Sequence, residues 1–133
     1  MITWMWVALG GALGSMARFG FGLYAARAWG DGFPWGTLAI NIIGSFVIGF
    51  FGRLTLPGGA LPASADMRIF VMVGICGGFT TFSAFSLQTL ELFEGGAAPR
   101  AAAYAAASVV LCLLSVFLGV YLAARIGMLL PRE

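Results

Sequence analysis

"GICGGFTTFSAF", Gly74–Phe85, is the stretch on which the reading of this 133-residue chain turns. It lies inside an apolar run, yet its paired glycines, two threonines and serine do not extend a smooth lipid-facing helix. Gly77 and Gly78 are expected to leave helical geometry cheaply, with Thr80, Thr81 and Ser83 offering hydroxyls to the freed backbone groups. Irregular backbone at membrane depth is tolerated only where it is buried in protein or lines a cavity. Carbonyls exposed by such a break are a ready cation ligand set, and half-helix N-termini favour anions. A plain glycine kink is the alternative, and the density of small polar residues speaks against it. Phe82 and Phe85 come next, three residues apart on one helical face. Such a pair usually packs, but the positive edges of aromatic rings can also solvate a small anion.

The surrounding composition supports a membrane setting. Hydrophobic residues make up 61% of the chain and charged ones 9%. There is no histidine, and all seven basic residues are arginines. That leaves little for acid–base chemistry or an imidazole metal site, and no nucleophile–base pair to suggest an enzyme. A net charge of +2 on scattered arginines does not make a nucleic-acid surface. Cys76 and Cys112 fall in apolar runs and read as small hydrophobes rather than a disulfide or metal pair. The start, "MITWMWVALGGALGSMARFG", lacks a basic leader and runs on into more membrane-like sequence, so it reads as a retained span, not a signal peptide.

A bilayer crossing needs about 20 mainly apolar residues. Four segments qualify: Ile2 to about Ala26, Trp35 to about Leu56, Ile69 to about Phe93, and Ala101 to about Leu130. The connections "RAWGDGFP", "PGGALPASADMR" and "EGGAAPR" are rich in glycine and proline and hold charges, as short interfacial turns do. The expected architecture is an all-α membrane protein, a single domain over 1–133 with four transmembrane helices, the third broken near its middle. Orientation is weakly specified. Arg53, Arg68, Arg125 and Arg132 fall on one side, Arg27 and Arg100 on the other, with Arg18 inside the first span near that second side. A protein that inserts both ways would show this small bias.

Polar groups within the spans mark where function should be sought. Asn41, in "GTLAINIIGSFVIG", needs partners for its amide, and taken alone it reads as an interhelical hydrogen bond rather than a binding group. Tyr104, Ser108, Cys112 and Ser115 share one face of the fourth span, either as a close-packing stripe or as a polar track along a narrow path. In the first span Gly10 and Gly14 form a G-x-x-x-G pair that admits another helix closely. Arg18 can snorkel to the headgroups, or lend positive potential to a vestibule.

Taken together, "GGALGSMARFG", "GTLAINIIGSFVIGF" and "GICGGFTTFSAFS" resemble, in order and spacing, the three signature regions of the Fluc (CrcB-type) fluoride channel family. The third, G-x-x-G-G-x-T-T-F-S-x-F, is the specific one. The resemblance implies a dual-topology antiparallel homodimer in a bacterial or archaeal inner membrane, with two fluoride pores flanking the interface. It implies a fluoride pathway drawing on Asn41, Thr81, Phe82, Ser83, Phe85, Tyr104, Ser108 and Arg18. It also implies a structural sodium ion held by the backbone carbonyls of Gly77 and Thr80 at the dimer centre. Two positions depart from the family pattern: Gln88 stands where many relatives carry an acid, and Cys112 where some carry serine.

The implied physiology is passive export. Hydrogen fluoride crosses membranes as a neutral acid and dissociates in the less acidic cytoplasm. An inside-negative potential then drives the anion out at about 2.3 kcal/mol per 100 mV. A small proton-coupled multidrug exporter is the competing four-span design, but it would want a carboxylate in mid-membrane. Asp31, Asp66, Glu91, Glu94 and Glu133 all lie away from span centres. A non-transporting assembly subunit would explain the glycines but not the spacing of Thr80, Thr81, Phe82 and Phe85.

Overall fold

A computed structural model describes residues 2–129. The chain forms α1 (Ile2–Trp29), α2 (Trp35–Leu54), a composite third rod and α6 (Ala98–Leu129). The third rod runs through α3 (Ala65–Arg68), a π-helical segment (Ile69–Cys76), α4 (Gly77–Phe79) and α5 (Phe82–Glu94). No strand occurs among the described residues.

Three of the rods, Trp35–Leu54, Ala65–Glu94 and Ala98–Leu129, are long and apolar enough to cross a membrane. α1 is not among them on apolarity, because its glycines together with Arg18 and Arg27 dilute the run. At 28 residues it is still about 42 Å long, ample for a crossing. The rod ends also correct the expected boundaries. α1 continues through Arg27 to Trp29, α2 stops at Leu54, and the third rod starts four residues earlier than expected, at Ala65. Ser64 caps that start by accepting a hydrogen bond from the Met67 N–H at 3.2 Å. α6 begins at Ala98, with Pro99 in its first turn, where a missing N–H costs nothing. The expected last residue of the fourth span, Leu130, and the terminal Arg132 and Glu133 lie outside the described residues.

Missing side chains hold the rods together. Lipid tails are as apolar as leucine, so helices associate in a bilayer through close backbone contact and hydrogen bonds. α1 lies on the π segment and α4, α2 on α6. A Cβ built on Gly10 would stand 2.5 Å from the Phe70 carbonyl oxygen and 2.9 Å from the Gly74 Cα. One on Gly14 would run into the Ile75 carbonyl, and one on Gly78 would come within 2.5 Å of the Gly11 carbonyl. Across the other seam, Gly49 faces the Val116 carbonyl and Gly119 the Phe46 carbonyl in the same fashion. Ser115 adds a hydrogen bond from its hydroxyl to the Ile42 carbonyl at 2.8 Å. The expected close approach through Gly10 and Gly14 is therefore present.

Candidate anion pathway at the helix break

The third rod is broken, but not at its glycines. Gly77 is helical, with φ −64° and ψ −37°, and Gly78 lies within α4. The chain opens at Thr80 (φ −80°, ψ 160°) and Thr81 (φ −154°, ψ 113°), both extended. The expectation that Gly77 and Gly78 unwind is thus corrected. Gly78 serves to admit α1, and the two threonines supply the extended linker that β-branched residues adopt readily.

Asn41 stabilises this break in its apolar surroundings. Its Oδ1 accepts the Thr81 N–H at 2.8 Å, and its Nδ2 donates to the Thr81 carbonyl at 3.1 Å. One side-chain amide thereby replaces both backbone partners that Thr81 gave up by leaving the helix. The interhelical bond anticipated for Asn41 is present, and one of its two amide hydrogens is not used by it. Thr80 turns its hydroxyl back to the Cys76 carbonyl at 2.8 Å, and its N–H bonds to the same oxygen at 2.9 Å. Thr81 then caps α5: its hydroxyl accepts the Ala84 N–H at 3.2 Å and sits 3.3 Å from that of Ser83.

The break leaves carbonyls behind. In an unbroken helix the Thr81 N–H would bond to Gly77, but Asn41 has taken it. The Thr80 carbonyl likewise loses its helical donor, since the Ala84 N–H goes to the Thr81 hydroxyl. A Cβ built on Gly77 meets nothing within 4 Å, so this side of α4 is an open face of the protomer. Two freed, neutral oxygens beside an open face suit a weakly bound hard cation, which prefers oxygen ligands.

A cavity of about 430 Å³ lies against the break, lined by Asn41, Ser45, Ile48, Met72, Cys76, Gly77, Thr80, Thr81, Phe82, Phe85, Ser108, Val109, Cys112 and Leu113. Seven of the residues singled out by sequence thus meet at one place: Asn41, Gly77, Thr80, Thr81, Phe82, Phe85 and Ser108. Phe82 and Phe85 stand with ring centroids 5.2 Å apart and planes inclined at 48°. Phe82 is 77% exposed, so only one side of it is held by this protomer. The wall carries hydroxyls, an amide and ring edges, but no lysine, arginine or carboxylate.

Ser108 has a particular standing in this wall. Its side chain is buried, and its hydroxyl has no hydrogen-bond partner. A serine in a helix can usually turn back to its own helix, so a buried orphan hydroxyl calls for an explanation. Its residue borders the cavity.

The remaining residues fall around this cavity. Tyr104 is fully buried between the rings of Phe33 and Phe85, with centroids 5.4 and 5.3 Å away, and lines neither cavity described here. Its hydroxyl donates to Gln88 Oε1 at 3.0 Å, so the neutral Gln88 fills its place as an acceptor. The expected polar face of α6 therefore divides. Tyr104 reaches Gln88, Ser108 and Cys112 line the cavity, and Ser115 is tied to α2. Ser83 is exposed and reaches the site only through Thr81. Arg18 lies in a second, larger cavity of about 730 Å³ between α1, α2 and α5, which Gln88, Glu91 and Asp31 also line. It is eleven residues inside the end of α1, about 16 Å along the helix. Thr81 alone lines both cavities. Ser45 and Met72 were missed by sequence reasoning, although the four-residue step from Asn41 to Ser45 places both on one face of α2.

Comparison with known proteins agrees over nearly the whole chain. The family described as CrcB-like protein, Camphor Resistance (CrcB), matches residues 5–120. A fluoride-specific ion channel FluC of Opitutus terrae is 52% identical over 119 residues, 90% of this chain and 90% of that protein. Its counterpart in Methylobacterium radiotolerans is 52% identical over 123 residues, 92% of this chain and 85% of the relative. That of Gluconobacter oxydans is 55% identical over 118 residues, 88% and 81% of the two chains.

Proposed function

The chain belongs to the CrcB-like family, and from that premise we propose that it is a fluoride channel which exports the anion passively through the cavity at the α4–α5 break. It is a multi-pass membrane protein and not an enzyme. The observation that carries the reading is the cavity wall, where Asn41, Thr81, Ser108, Phe82 and Phe85 converge without a formal charge. Fluoride is small and strongly hydrated, so a path must replace its water with closely placed donors while holding it weakly enough to release. A spare amide hydrogen, the unpartnered Ser108 hydroxyl and two ring edges do that. An arginine at the same place would bind too firmly. Arg18 instead stands in the adjoining larger cavity, where its charge raises the local anion concentration, and Thr81 marks the passage from one space to the other.

The working unit in this reading is an antiparallel homodimer with two pores. The open face at Gly77 and the exposed ring of Phe82 are what a second copy would cover. A sodium ion would sit at its centre, held by the Gly77 and Thr80 carbonyls of both copies. Its charge would satisfy the four freed carbonyl dipoles and so hold the broken helices in place. No energy source beyond the membrane potential is required, about 2.3 kcal/mol per 100 mV for one charge.

Expression in bacteria that lack their own fluoride exporters tests this directly. At mildly acidic external pH, cells carrying the chain should keep intracellular fluoride low and continue to grow. Accumulation equal to that of cells with an empty vector would refute the export reading.

A further inference from the structure

Arg68 does not line the cavity, yet it is the best-anchored arginine among the described residues. Its Nη1 donates to the Gly52 carbonyl at 2.9 Å and to the Thr55 hydroxyl at 2.6 Å. Both acceptors belong to the C-terminal end of α2, where Thr55 is the cap. Thr55 is buried, and its hydroxyl passes a further hydrogen bond to the Phe51 carbonyl at 2.7 Å. A guanidinium in this position meets unsatisfied carbonyls and the negative end of the helix dipole together. Bonds of this charge-assisted kind are about twice as strong as neutral ones.

The clamp matters because of the backbone immediately C-terminal to it. Arg68 is the residue from which the π-helical segment starts, and that segment runs for eight residues, Ile69–Cys76. π turns normally occur singly, often at functional sites, so a longer run must be held from outside. It is held at both ends. Arg68 fixes its start on α2, and Asn41 grips Thr81 just beyond its end by both backbone groups. If the segment relaxed to ordinary helix, with bonds one residue shorter, everything after it would rotate and shift along the rod axis. Thr80 and Thr81 would then no longer arrive opposite Asn41.

We infer that Arg68 is a positioning residue for the anion path: by clamping the start of the π-helical segment to the end of α2, it sets where the Thr80–Thr81 break meets Asn41. The transport consequence rests on the fluoride-channel reading; the structural consequence does not.

Arg68→Met, Arg68→Lys and Thr55→Val separate the possibilities, each measured in purified protein by two readouts. One is fluoride efflux from liposomes. The other is hydrogen exchange at the Thr81 amide, which Asn41 protects, with α6 amides as the internal control. Arg68→Met should speed Thr81 exchange by about tenfold or more, the equivalent of one charge-assisted hydrogen bond, and slow fluoride efflux by a similar factor. The α6 amides should keep wild-type rates. Arg68→Lys, which retains a charged donor without the planar guanidinium, should recover part of both effects, and Thr55→Val should reproduce a fraction of them. Unchanged Thr81 exchange in Arg68→Met would overturn the inference. So would acceleration of all amides together, which would make Arg68 a general stabiliser. If the wild-type protein passes no fluoride while Arg68→Met still frees Thr81 alone, the positioning role stands and the fluoride reading falls.

Discussion

Replacing Ser108 with alanine should make the protein more stable and a poorer channel. The hydroxyl is buried, 7% of the residue being accessible, and it has no partner. An unsatisfied buried polar group costs about 1–3 kcal/mol, and removing it returns that amount. Alanine adds a few tenths of a kcal/mol of helix propensity over serine, about 0.5 at most. Ser108→Ala is therefore expected to raise the unfolding free energy by about 1–3 kcal/mol, read from reversible SDS titration in mixed micelles without fluoride. The same hydroxyl, donating to an anion, is worth about 1.5–3 kcal/mol, so efflux from liposomes should fall by about tenfold to a hundredfold. Ser108→Thr, which keeps the donor, should retain most of the flux. A destabilised Ser108→Ala protein would show that the hydroxyl has a structural partner after all. Wild-type flux in that variant would remove Ser108 from the path. Few ordinary core positions give opposite signs in the two assays.

Other substitutions probe the rest of the arrangement. Gly14→Val drives a side chain into the Ile75 carbonyl and to 2.8 Å from the Phe79 N–H, and should cost about 1–3 kcal/mol or more in the same titration. A Cβ on Gly77 meets nothing within 4 Å in the protomer, so Gly77→Val should fold normally yet lose dimer by light scattering; an unchanged dimer would place Gly77 away from the interface. Asn41→Asp turns a carboxylate oxygen toward the Thr81 carbonyl in place of the 3.1 Å N–H donor, and should cut fluoride efflux by about tenfold or more. Phe82→Ile and Phe85→Ile should slow efflux sharply in dimeric protein, whereas Leu114→Ile, 59% exposed on α6, should leave it at the wild-type rate.

The rods, the existence of a break and most of its lining were legible in the sequence because each has a local signature. Twenty-residue apolar runs, clustered hydroxyls and a three-residue aromatic step announce themselves. The position of the break did not, because glycine carries two meanings. Gly77 and Gly78 could unwind, but in a bilayer the stronger use of a glycine is to let another backbone approach, and Gly78 serves α1 that way. The π-helical segment was equally hidden, since "IFVMVGIC" reads as any apolar stretch and its form depends on ties at Arg68 and Thr81. Pairings between rods, such as Tyr104 with Gln88 or Asn41 with Thr81, lie 16 and 40 residues apart and emerge only from the packing. The end of α1 was misplaced for a simpler reason: the helix runs three residues past Ala26, through Arg27, which an interfacial arginine with flanking aromatics does not forbid.

The central claim is that an uncharged wall of amide, hydroxyl and ring-edge donors passes fluoride and rejects larger halides. Purified protein in liposomes loaded with both potassium fluoride and potassium chloride, opened to potassium flux by an ionophore, tests it in one trace per anion. Fluoride should leave rapidly down its gradient while chloride stays inside. Equal release of the two anions, or retention of both, would contradict the account.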